Sequence, residues 1–209
     1  MGILKSFLNN TCKPEGLSGK WMVVSMNLAH AAVADWGMSH LPKSVCGEIA
    51  ELGCGGGRNV KELLRRYPTV KVTALDYSEI SVEKTKQVNQ QDMQSGRCRI
   101  MRGDVSRLPF GDEQFDLATA FDTVYFWPGP VKSFLEVYRV LKPGGMFLIA
   151  NESDGMNPRD NRWLSAIDGL RIFNKVQLSA FLTEAGFSRI TVDHDPKKHR
   201  LCILAVRET

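Results

Sequence analysis

Short apolar runs alternate along the chain with longer segments whose apolar positions recur at helical spacing. The runs "VCGEIAEL" (45–52), "VKVTALD" (70–76), "CRIMRGD" (98–104), "FDLATAF" (115–121) and "GGMFLIANE" (144–152) are rich in apolar and β-branched residues and end at turn or acidic residues, as strands do. Between them, "RNVKELLRRY" (58–67), "SEISVEKTKQVNQQ" (78–91) and "PVKSFLEVYRVL" (130–141) read as helices, the last stopped by "KPGG". Strands separated by helices of this length require right-handed crossovers, hence a parallel, doubly wound α/β sheet covered on both faces. The tail differs: after a helix in "NKVQLSAFLTEAGF" (174–187), "SRITVDH" and "RLCILAVRE" are strand-like and joined by "DPKK", which predicts an antiparallel hairpin. Ahead of the first strand, "MNLAHAAVADWGMSHL" (26–41) reads as a helix ending at Gly37.

Composition narrows this picture. A chain of 209 residues with 43% hydrophobic residues suits one globular domain with a small appendage, here a helical cap or lid over 1–41 and a main domain over 42–209. Lys and Arg number 27 against 23 Asp and Glu, and the resulting +4 lacks the concentrated basic field of a nucleic-acid binder. Five cysteines, odd in number, scattered and never in C-x-x-C, argue against a disulfide framework or structural zinc and for a reducing cytoplasm. No leader pattern or membrane-spanning run is read, and "MG" with Ser6 matches only a loose lipidation pattern. Oligomeric state is left open.

The candidate chemistry lies in "IAELGCGGGRNV" (49–60), where glycines cluster between a strand and a helix. Glycine inside regular structure costs about 0.5–1 kcal/mol relative to alanine, so the cluster marks a place where backbone turns tightly or meets a ligand. In an open parallel sheet, ligands bind beyond the carboxyl ends of the strands. Gly53, Gly55 and Gly57 give G-x-G-x-G, with Arg58 where a dinucleotide fold would have its third glycine. Glu51 directly before the loop suits a cationic ligand better than a pyrophosphate. Asp76 ends the second strand, where such folds bind ribose hydroxyls, and Asp104 ends the third, placed to reach an adenine amino group. Packing alternatives stand beside each: glycines for helix–strand contact, Asp76 as a helix cap, Asp104 closing a turn.

Taken in order, "ELGCGGG", "ALDYS", "GDVSRLPF", "FDLATAFDTVYFW" and "RVLKPGGMFLIAN" make the chain resemble the class I S-adenosylmethionine-dependent methyltransferases, in particular small bacterial ones of the Methyltransf_11 type, over about residues 45 to 190. The resemblance implies a Rossmann-like seven-stranded sheet, mostly parallel with an antiparallel last strand. It also implies S-adenosyl-L-methionine as cofactor. The loop of Gly53, Cys54, Gly55 and Gly57 would pass under its methionine part, Asp76 would hold the ribose hydroxyls, and Asp104 with the Val105 backbone would read the adenine. Glu51, Tyr77 and Phe121 complete that cofactor set. Cys54 has the simpler alternative of a small residue that fits the turn.

Methyl transfer from a sulfonium asks chiefly for alignment, so neither a nucleophile triad nor a metal is expected. The acceptor should lie over the methyl group, beyond the fourth strand, where "FDTVYFWPGP" places Asp122, Tyr125, Phe126 and Trp127; these aromatics either wall a pocket or pack the next helix. Asn27, His30 and Trp36 are the cap's candidates. His30, Asp122 and Tyr125 are the catalytic candidates, His30 as a base or else a packing residue. His194 and His199, flanking "DPKK", are read as turn residues away from the cofactor end. The expectation is an enzyme methylating a small-molecule acceptor, with no nucleic-acid or membrane partner. The alternatives are a cofactor-binding sensor or partner subunit, and an RNA or protein modifier, against which no "NPPY"-like tetrapeptide follows strand four.

Overall fold

The computed structural model describes residues 30–208. Seven strands, β1 Glu48–Leu52, β2 Lys71–Asp76, β3 Cys98–Arg102, β4 Phe115–Phe121, β5 Leu141–Asn151, β6 Ser188–Asp195 and β7 Arg200–Val206, form one sheet in the order β3-β2-β1-β4-β5-β7-β6. The pairings among β1 to β5 are parallel, whereas β7 runs antiparallel between β5 and β6. Strand order reverses at β1, which lies between β2 and β4, and the carboxyl ends there open the crevice in which such sheets bind ligands.

Alternation along the strands buries both faces. Ile49, Val72, Leu117 and Leu148 face α1 (Ala31–Met38), α2 (Arg58–Arg66) and α3 (Glu79–Val88), meeting Met38, Leu63 and Val82. Their neighbours Ala50, Ala118 and Phe147 face α5 (Pro130–Val140) and α7 (Lys175–Glu184), packing with Val137 and Leu178. Short helices α4 (Gln90–Gln94) and α6 (Asp160–Ala166) lie in connections.

Four details differ from the sequence-based expectation. The helix expected over 78–91 breaks into α3 and α4 at Asn89, whose side-chain amide donates to the carbonyls of Thr85 and Gly57 and so competes with the helical ladder. "KPGG" does not stop before β5 but lies within it. Leu141 already pairs with Phe115, and the Arg207 backbone accepts from the Gly144 N–H and donates to the Gly145 carbonyl. Residues 31–41 are not a separate cap in their described part: Ala34, Met38 and Leu41 are core residues, and a Cβ on Gly37 would lie 2.5 Å from that of Ala150. Lastly, the "DPKK" turn is at the carboxyl edge, because β6 runs parallel to β5, not away from it.

Candidate functional site

The loop between β1 and α2 is shaped from both sides. Gly57 has φ +83°, and a Cβ there would come 2.8 Å from the Thr85 backbone, so only glycine lets α2 start this close to α3. Gly55 has φ +51° but nothing within 4 Å of where its Cβ would be; its bare backbone faces open space at the crevice. Thr85 of α3 and Asn89 directly after it hold the loop from below, donating to the carbonyls of Gly55 (2.9 Å) and Gly57 (3.0 Å). Asp76 holds it from the side, its Oδ2 accepting from the Gly55 N–H at 2.9 Å and its Oδ1 from that of Ser78 at 2.8 Å. Ser78, not Asp76, caps α3. Burial raises the Asp76 carboxyl above its ordinary range despite these donors.

Glu51 is fully buried at the end of β1. The Thr119 hydroxyl donates to its Oε2, but its Oε1 meets no hydrogen-bond partner. Burial, with the Asp76 charge adding, pushes its carboxyl up to about 8. A buried carboxyl with one unpartnered oxygen beside a glycine loop is a group that a bound cation would ionise and stabilise. Cys54 is buried, its thiol pushed well up by burial, so it contributes shape and backbone, not thiol chemistry. Across the crevice, Tyr77 is half-exposed and Val105 joins the core. Asp104 bends its own turn, accepting from Ser106 N–H at 2.8 Å. Phe121 packs on α1 at Gly37.

A second group lies beyond β4 and β5. Asp122 follows β4 with φ +52°, a costly conformation for a non-glycine residue. Its Oδ1 accepts from the Glu152 N–H at 2.6 Å, while its buried Oδ2 has no hydrogen-bond partner. His30 stands over it, with Nδ1 3.5 Å from Asp122 Oδ2 and Nε2 3.6 Å from Glu152 Oε1. Burial raises the Asp122 carboxyl well above its usual range, and the Glu152 charge adds to it. Tyr125 is buried in the turn Val124–Phe126, its hydroxyl accepting from Ser153 N–H at 2.8 Å, and burial with the nearby Asp122 charge raises its phenol well above normal. Phe126 lies edge-on to Tyr125.

The aromatic candidates separate. Trp127 is a core residue, stacked on Phe147 and edge-on to Phe134, and its indole N–H donates to the Thr123 hydroxyl at 3.3 Å. Trp36 is engaged by the Arg200 guanidinium, 4.3 Å from its ring centroid, at the start of β7. Asn27 lies outside the described residues. Sequence reasoning passed over Glu152, although an acid closing a strand is the signal that singled out Asp76. It also passed over Asp154, whose Oδ2 lies 2.7 Å from His194 Nε2 and 3.2 Å from His199 Nδ1, pinning the hairpin tip to the β5 end.

Comparison with known proteins finds similarity to methyltransferases. The Methyltransf_11 model, described as a methyltransferase domain, matches residues 50–149. Cycloartenol-C-24-methyltransferase 1 of Oryza sativa subsp. japonica is 32% identical over 102 residues, 49% of this chain and 29% of that protein. The chain spans less than half the length of the curated relatives it matches. Among solved structures, the complex between the Haloferax volcanii Trm112 methyltransferase activator and its methyltransferase contains a chain that superposes with TM-score 0.81 at 18% identity, over 90% of this chain and 94% of that one. Phosphoethanolamine N-methyltransferase 2 of Haemonchus contortus, solved with phosphomonomethylethanolamine and S-adenosylhomocysteine, superposes with TM-score 0.77 at 14% identity, over 100% of this chain and 61% of that one.

Proposed function

We propose that this chain, whose residues 50–149 match the Methyltransf_11 model, transfers a methyl group from S-adenosylmethionine to a small-molecule acceptor bound beyond β4 and β5. The observation that carries the reading is the buried Glu51, with its unpartnered Oε1, beside the bare Gly55 backbone and Asp76 at the switch point of the sheet. That set fits a cofactor with a cationic amino-acid part and a ribose, because a bound cation favours the ionised Glu51 carboxylate, whereas a pyrophosphate would oppose it. When bound, the cofactor supplies a methyl group already activated on a sulfonium.

The chain's own residues bind and align. Glu51 and the Gly53–Gly57 backbone receive the amino-acid part, Asp76 and Tyr77 the ribose, and Asp104 with Val105 the adenine, while Phe121 fixes α1 over the β4 end. His30, Asp122 and Tyr125, with Phe126, take the acceptor end, and Asn27 and Trp36, from the segment before β1, are further acceptor contacts. With the acceptor held in line, alignment supplies several kcal/mol of the barrier reduction. The free state of Cys46, Cys54, Cys98 and Cys202 supports a reducing cytoplasm as the place of action. Among the described residues, no helix is long and apolar enough to cross a membrane.

Calorimetric titration with S-adenosylmethionine, S-adenosylhomocysteine and NAD tests the cofactor. Saturable heat with the first two and none with NAD is expected; the reverse would overturn the reading.

A further inference from the structure

Three groups, from two strand ends and the start of a helix, converge beyond β4 and β5. His30 enters from the N-terminal end of α1, Asp122 from the end of β4 and Glu152 from the end of β5. Two of the three are carboxylic acids. Among the described residues, His30 is the one basic side chain within 4 Å of either carboxylate. Asp122 is buried, and its Oδ2 points at the cluster without a hydrogen-bond donor. A buried carboxylate oxygen in this state lacks what a bound cation with N–H donors would bring. Resting on the methyltransferase reading above, we propose that His30, Asp122 and Glu152 form the acceptor subsite and select a protonated amine.

The cofactor's own ammonium does not account for the whole cluster. Asp122 is close to the glycine loop, since the side chain of its neighbour Thr123 lies against Gly53. Glu152 directly follows β5, two strands from β1 in the order β1-β4-β5, which is about 10 Å across the sheet. The Glu152 end of the subsite therefore lies on the side away from the loop. A divalent metal is the other cation to weigh, because ligand atoms of these three residues lie within 4.8 Å of one another. The two carboxylates, however, address different ring nitrogens, Asp122 facing Nδ1 and Glu152 facing Nε2. An ion can use only one nitrogen of the ring, whereas an imidazole that accepts a proton is stabilised at both.

The step balances without any further reactant. An amine enters as the ammonium, one N–H proton passes to His30, and the lone pair thereby freed forms the N–CH3 bond as the S–CH3 bond breaks. The electron pair of that bond returns to sulfur, leaving a neutral thioether and a methylated ammonium. The imidazolium is held between Asp122 and Glu152 until its proton leaves through the exposed Glu152 side. Groups facing the cluster from neighbouring elements are Tyr125, which feels the Asp122 and Glu152 charges, and Asp160, which acts on Tyr125.

The test uses protein loaded with S-adenosylhomocysteine and two matched series: phenethylamine, 2-phenylethanol and 3-phenylpropanoate, and hexylamine, hexanol and hexanoate. Binding is read by calorimetry and by the ring resonances of His30. The amine of at least one series should bind about tenfold or more tighter than its alcohol, the scale of a charge-assisted hydrogen bond, and should move the His30 resonances. Glu152→Gln, a change at an exposed side chain, should remove that preference while leaving affinity for S-adenosylhomocysteine within about twofold, and Glu152→Asp should restore part of it. Alcohols or carboxylates binding as well as amines would overturn the proposal, as would no amine binding at millimolar concentration. So would Mn2+ alone broadening the His30 resonances and displacing the amine. If S-adenosylhomocysteine itself fails to bind, the cofactor reading falls with it.

Discussion

Replacing Glu51 with Gln should make the free protein more stable and the cofactor complex weaker. Folding takes the carboxyl from an ordinary 4.5 to about 8, chiefly through burial. Between those values the unfolded chain has lost the proton and the native state still holds it, so native stability is greatest below 4.5 and falls as pH rises toward 8. At pH 7 the interval above 4.5 amounts to about 3 kcal/mol at 1.36 kcal/mol per unit, an upper figure because burial relaxes in solution. Glutamine keeps an oxygen for the Thr119 hydroxyl and carries no charge, so the variant should gain up to that amount, several degrees in Tm for a chain of this length. Urea unfolding at pH 5.5 and pH 8 measures it. The variant's advantage should be small at the lower pH and grow at the higher one. Its affinity for S-adenosylmethionine should fall about tenfold or more, since a cation loses its carboxylate partner. A variant less stable than wild type at pH 8, or an advantage unchanged by pH, would refute the reasoning.

Three further outcomes follow from the geometry. Gly55→Val should lose cofactor binding, because a β-branched side chain at φ +51° adds about 1–3 kcal/mol of strain and fills the open space above the loop; since nothing in the protein lies within 4 Å of that Cβ, melting should fall far less than binding, and equal loss would make the glycine structural. Trp127→Ala should cost about 3–5 kcal/mol in urea unfolding by opening a cavity against Phe134 and Phe147, and a cost under about 1 kcal/mol would contradict its core placement. Asp154→Asn should speed hydrogen exchange at 195–200. Burial alone would raise the Asp154 carboxyl, but the donors His194, Met156 N–H and His199 bring it below 3.8, so this tie persists above that range and is lost on acidification; unchanged exchange would show the hairpin tip is held otherwise.

Much of the fold was legible because its signals are local. The five parallel strands and the tail hairpin follow from short apolar runs, and the glycine loop and Asp76 follow from their place at strand ends. The break at Asn89 was not legible, since the carbonyl that draws its side chain belongs to Gly57, distant in sequence. Nor was the extension of β5 through "KPGG", which reads as a turn until the Arg207 backbone pairs with it. The cluster beyond β4 and β5 is the clearest case. His30, Asp122 and Glu152 come from three separated segments, and nothing local to His30 distinguishes it from a packing residue. Trp127 shows the opposite: three successive aromatics suggest a pocket, yet one of them turns into the core where α5 begins.

The seventh strand fills an interior place, hydrogen-bonded to β5 on one side and β6 on the other. During synthesis the outer edge of β5 therefore stays unpaired until residues 200–206 have left the ribosome, because β6, made earlier, has no partner strand of its own before then. A nascent chain in that state presents the free edge of a long, mostly buried strand, the kind of template that attracts other chains. Completion of the sheet thus waits for its last hairpin, and a stall or frameshift within that hairpin would leave the other strands in an aggregation-prone form.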